Sequence, residues 1–170
     1  RTYALCGMDR FADAAALAQS SLSRWPDEIQ LMTGRAYALA RPVFDRFQAE
    51  RSVRRQVRPD DRMILEESRA LYTRACDSAR QGGYHRLLYE ALNWLSLIEL
   101  ALGRPDAAIG FLDEGLELWP DDIALLTNKH FALVQMDAFE RAAEAAVLIG
   151  RSPGHQTEGL ILQVAALLCA

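Results

Sequence analysis

The chain has 170 residues, 51% hydrophobic and 25% charged, with a formal net charge of −4. That length suits one domain hiding about 70% of its unfolded surface, and a composition led by Ala and Leu predicts an almost wholly helical fold. The acidic balance gives no general attraction to nucleic acid or anionic membrane, and the sequence contains neither an apolar run of membrane-spanning length nor a secretory leader pattern, so a cytoplasmic protein is expected. Cys6, Cys76 and Cys169 form an odd set without CxxC spacing and read as idle thiols.

In chain order, Arg1 falls midway through a first helix, which leads to the expectation that the chain is a section of something longer. Phe11-Ala12-Asp13-Ala14-Ala15 opens the next helix, and Trp25-Pro26-Asp27-Glu28 closes it. Proline bars helical conformation in the residue before it, and Asp27 is placed to cap the helix beginning at Ile29. Pro42 should kink or stop that helix. The stretch 42–61 then reads as an insertion, with an added or extended helix over 43–57. A helix over 60–82, carrying Ser68, Tyr72 and Ala75, ends at Gln81-Gly82-Gly83.

The opening pattern now returns. Pro105-Asp106-Ala107-Ala108-Ile109 stands before Trp119-Pro120-Asp121-Asp122 at the same distance as before, so Ala108 matches Ala14, 94 residues away. A third copy, Phe139-Glu140-Arg141-Ala142-Ala143, sets Ala142 34 residues after Ala108 and precedes a turn at Ser152-Pro153-Gly154. Asp121 is read as a cap, and Asp137 with Glu140 as a capping box. A 34-residue period is a helix–turn–helix unit in which small residues mark close crossings. From Ala14 to Ser68 is 54 residues, 20 more than one period. The helix from Gly159 would expose Leu160, Ile161, Val164, Ala165, Leu167 and Leu168.

These residues resemble the tetratricopeptide repeat (TPR) family: Leu92, Leu95, Ala108, Leu112 and Pro120, then Leu126, Leu133, Phe139, Ala142 and Ala146, follow its signature. Ser96 and His130 depart from it by occupying the usual Gly position, and Gly115 replaces the second Ala. The resemblance implies an all-α, right-handed α-solenoid of antiparallel hairpins. It would form a single domain over 1–170, with repeats near 1–28, 29–82, 84–122 and 123–156 and a partial one at 157–170. It also implies a section of a larger TPR protein, acting as an interaction module and scaffold. The first helices would line a groove for a peptide or partner helix, with Tyr37, Asn93, Trp94, Leu97, Thr127, Asn128, Phe131 and Gln135, and also Thr33 and Gly34, along it. A carboxylate clamp is poorly matched, since Leu97 stands where a second Asn is needed and Lys129 points toward the packing side.

No cofactor, metal or catalytic site is expected. Gly150-Arg151-Ser152-Pro153-Gly154 spells a nucleophile elbow, yet helical sequence precedes it and Pro153 has no N–H for an oxyanion hole. His155 and Glu158 alone make a poor metal site. Arg41, Arg46, Arg51, Arg54, Arg55, Arg58 and Arg62 suggest phosphate or acidic partners, but a solvated helix face neutralised by Asp45, Glu50, Asp60 and Asp61 is preferred. Two other readings stand: a unit that self-assembles through the C-terminal helix, and a sensor or regulatory segment of a larger NTPase or signalling protein.

Overall fold

The computed structural model describes residues 1–49 and 57–169, with residues 48 and 49 in backbone only. Nine helices occur among them and no strand: α1 (Thr2–Cys6), α2 (Phe11–Leu22), α3 (Ile29–Ala49), α4 (Pro59–Gly82), α5 (His85–Ala101), α6 (Pro105–Leu118), α7 (Ile123–Gln135), α8 (Phe139–Arg151) and α9 (Gln156–Cys169). They form two compact units, Arg1–Ala91 and Leu92–Ala170. In the first, α2 packs on α1 and α3, α3 on α4, and α1 also on α3; in the second, α6 to α9 pack each on the next.

One turn is used repeatedly. After α1, α5 and α7 a residue adopts a left-handed conformation: Asp9 (φ 57°), Gly103 (φ 76°) and Asp137 (φ 55°). In each case the following N–H reaches five residues back, Arg10 to the Leu5 carbonyl (2.9 Å), Arg104 to Glu99 (2.8 Å) and Ala138 to Leu133 (2.9 Å). This bond, with the shorter one from the left-handed residue itself, satisfies carbonyls that a helix end leaves open. The next helix starts at once, so the chain reverses tightly. The turn also corrects the reading of Asp137. An N-cap needs extended backbone, whereas Asp137 is left-handed, and α8 has Ala138 as its N-cap with no side-chain bond.

Two connections between hairpins, α2 to α3 and α6 to α7, are built on the Trp-Pro-Asp segments, while α4 to α5 repeats the left-handed turn at Gly83 (φ 67°), with the Tyr84 N–H reaching the Ala79 carbonyl at 2.9 Å. Asp122, one residue later than Asp121, caps α7 by accepting from the Leu125 N–H at 2.9 Å. In the earlier copy Asp27 lies out in solvent, 3.7 Å from Arg74 Nη2, and the Glu28 carbonyl accepts the first bonds of α3. Arg74 also donates to the Pro26 carbonyl at 2.8 Å, tying this turn to α4.

Ala14, Ala108, Ala142 and Ser68 are all fully buried, as close axes require. At two crossings a polar side chain bridges the pair: Ser68 Oγ donates to the Ala36 carbonyl (2.9 Å) and His130 Nδ1 to the Ala142 carbonyl (2.9 Å). Ala36 and Ser68 are 32 residues apart, against 12 for His130 and Ala142. The excess lengthens both helices of the hairpin. Helix α3 runs through Pro42 to Ala49, so the proline does not stop it. Its continuation is held by packing, with Ala40, Val43 and Phe47 buried and Phe44 edge-on to Phe47. The far part of the expected 43–57 helix lies outside the described residues.

Helices α8 and α9 meet through glycine. A Cβ on Gly159 would fall 2.4 Å from the Gly150 nitrogen and 2.7 Å from the Ala146 carbonyl oxygen. Both are backbone atoms that cannot step aside. Leu160, Ile161, Val164, Leu167 and Leu168 on α9 are exposed.

Candidate partner-binding face

Helical spacing sets Asn93 and Leu97 one turn apart on α5, and Thr127, Phe131 and Gln135 one turn apart on α7. One side-chain amide pair links the two helices, Asn128 Nδ2 donating to Asn93 Oδ1 at 2.9 Å. This bond uses one donor of Asn128 and one lone pair of Asn93. The other amide groups keep their hydrogen-bonding capacity.

Phe131 is 48% exposed, and its ring stands edge-on to His130 at 5.6 Å. The imidazole beneath is buried and fixed by its bond to Ala142, so the root of the aromatic is held while its rim faces outward. Gln135 is exposed, and Trp94, Leu97, Thr127 and Asn128 are half-buried. None of these side chains carries a formal charge. Lys129 is turned away from them, paired with Asp113 at 2.7 Å, and lines a separate recess of about 370 Å³ with Leu126, Leu133 and Leu148.

Tyr37 belongs to the first unit and the other seven belong to the second. Its ring sits 6.5 Å from those of Tyr3 and Phe11, against a core of Cys6, Ala14 and Ala38. Thr33 and Gly34 are buried rather than lining a surface. A Cβ on Gly34 would approach Thr2 Cγ2 to 3.2 Å, so the glycine lets α1 lie close on α3.

The first unit has a polar recess that the sequence did not reveal. Tyr3 donates to Glu90 Oε1 at 2.9 Å and, because a carboxylate only accepts, takes the hydrogen bond of the Thr33 hydroxyl at 2.9 Å, a closer acceptor for it than the Gln30 carbonyl at 3.4 Å. Burial, opposed by the Thr33 bond and reinforced by the Glu90 charge, pushes the Tyr3 hydroxyl well above its ordinary pKa. Tyr3, Gln30, Arg86, Leu87 and Glu90 line an open recess of about 360 Å³. These side chains come from α1, α3 and α5, and no single stretch of sequence brings them together.

No protein-family model matches the chain, and no curated protein does.

The remaining candidates are accounted for locally. Arg41 pairs with Asp45 at 2.8 Å, and Arg46 and Arg58 both grip Asp61, the latter at 2.9 Å. Burial of Asp61 raises its pKa, but the two guanidiniums more than offset this and hold it below the usual carboxylate value. Arg62 is exposed, and Arg51, Arg54 and Arg55 lie outside the described residues. His155 Nδ1 bonds Glu158 at 2.9 Å, and no metal-binding cluster occurs among the described residues. Gly150 and Arg151 end α8, a helix where the elbow motif needs a strand. Among the described residues no helix is long and apolar enough to cross a membrane.

Proposed function

We propose that the chain is a right-handed α-solenoid of TPR-like hairpins, and that the α5/α7 face binds a segment of another protein. The observation that carries this reading is the Asn93–Asn128 bond beside the exposed Phe131. It sets two first helices side by side with uncharged side chains, an aromatic anchor and unspent amide groups. Such a surface suits an apolar or amphipathic segment whose backbone needs donors and acceptors. The partner is a protein or peptide, and the chain serves as an interaction module or scaffold.

The test is binding to an array of peptides, followed by affinity measurement for the best binders. Phe131→Ala should weaken them by about tenfold or more, as truncation of an aromatic anchor commonly does, with helicity unchanged. Retention of full affinity by both Phe131→Ala and Asn128→Ala would remove this face from consideration.

A second reading is favoured by α9, whose Leu160, Ile161, Val164, Leu167 and Leu168 form an exposed apolar row. It makes the chain a self-assembling unit joined through that helix. Light scattering that reports a monomer at every concentration would exclude it.

A further inference from the structure

We propose that the recess between α1, α3 and α5 is a pocket for one basic side chain of the bound segment, received by the Glu90 carboxylate against the Tyr3 ring. The inference rests on the reading of first-helix faces as binding surfaces, but it concerns a different place and a definite chemistry.

Three observations decide the sign of the charge. Glu90 is tethered: a relay from buried Thr33 through Tyr3 ends on its Oε1, and the residue lines the recess with its second oxygen outside that bond. Tyr3 has spent its proton on Glu90, so its hydroxyl cannot donate to an incoming anion. Arg86, one turn before Glu90 on α5, is exposed and makes no ion pair among the described residues. Its guanidinium stands in solvent, while one oxygen of Glu90 is held by Tyr3.

A cation entering the recess thus meets a pre-positioned carboxylate, an aromatic ring, the Gln30 amide oxygen and, along its stem, the Leu87 side chain. An Arg or Lys side chain is matched at each point, its methylenes lying on apolar surface and its head on charge. An acidic side chain would meet only Arg86 and the Gln30 amide, with Glu90 repelling it. The net charge of −4 also draws basic segments toward the chain.

The probe is a labelled nonapeptide of Ala, Gly and Ser with a central Arg, compared with Gln and Glu versions by fluorescence anisotropy at low salt on the 170-residue chain. The Arg peptide should bind about tenfold tighter than the other two. Glu90→Gln should abolish that preference and Tyr3→Phe should reduce it, because the carboxylate loses its tether. Arg86→Gln should strengthen Arg-peptide binding by removing a competing cation. Phe131→Ala should leave the preference intact, so this pocket and the α5/α7 face can fail separately. Equal binding of the three peptides, no binding, a preference for Glu, or an Arg preference that survives Glu90→Gln would each overturn the proposal.

Discussion

The α3/α4 and α7/α8 hairpins share a crossing and differ in reach. Both place a small buried residue of the second helix, Ser68 or Ala142, against the first, and both seal the contact with a side-chain bond to a carbonyl. Yet α3 and α4 have 21 and 24 residues where α7 and α8 have 13 each. Toward the closed end, α3 runs 13 residues past Ala36 where α7 runs 5 past His130, and α4 starts 9 residues before Ser68 where α8 starts 3 before Ala142, so the helices gain eight and six residues. At the usual rise this extends the hairpin by about 10 Å. The comparison teaches that an insertion at the closed end of a hairpin is tolerated when the overhang supplies its own core and its own polar latch. Val43, Phe47 and Leu65 provide the first, and Asp61 with Arg46 and Arg58 the second.

If the crossings are equivalent, they should fail equally. Ala142→Leu and Ser68→Leu each force a large side chain into a site without free volume, and overpacking of this kind costs about 3 kcal/mol. Urea denaturation monitored by circular dichroism checks both. A loss below about 1 kcal/mol for Ser68→Leu alone would mean that the longer hairpin crosses more loosely, and the comparison would break there.

The latch should matter only to the long hairpin. Asp61 is buried, while Arg46 and Arg58 are partly exposed and can be rehydrated, so Asp61→Asn should cost about 2 kcal/mol rather than the larger penalty of a fully buried pair. The pH dependence follows from the lowered pKa of Asp61. The stabilisation is complete above the unfolded value near about pH 4 and disappears as pH falls through the lower folded value. Acid should therefore destabilise the native chain more than the Asn variant, with the two converging at low pH. Parallel curves for the two proteins across that range would show that Asp61 contributes nothing by its charge.

The sequence made some of this legible and hid the rest for physical reasons. Ala14, Ala108 and Ala142 stood out because a small residue recurring in one register has few explanations other than a close crossing. Asp137 misled because the same Asp suits an N-cap and a left-handed turn, and only the backbone angle separates them. Pro42 misled because the cost of a lost helical bond can be offset by packing that no local rule weighs. The Gly150–Gly159 contact was invisible, since a glycine does not announce which helix approaches it. For the candidate face, spacing put Asn93 and Leu97 on one surface and Asn128 near Phe131. The amide bond from α5 to α7, and the relay from Thr33 through Tyr3 to Glu90, depend on tertiary placement.

The smallest expected effect is the most discriminating for the crossings themselves. Ser68→Ala removes one hydroxyl and little volume, so it isolates the bond to Ala36. That carbonyl lies inside α3 and keeps its helical N–H partner, so the substitution strands no buried acceptor and should cost only about 1 kcal/mol. Truncating His130 is not a matched test, because the imidazole also fills space beneath Phe131. A loss of about 3 kcal/mol for Ser68→Ala would instead mean that the hydroxyl holds the long hairpin together. The crossing would then depend on its polar bridge more than on the absence of bulk, and the equivalence with Ala142 would be one of position only.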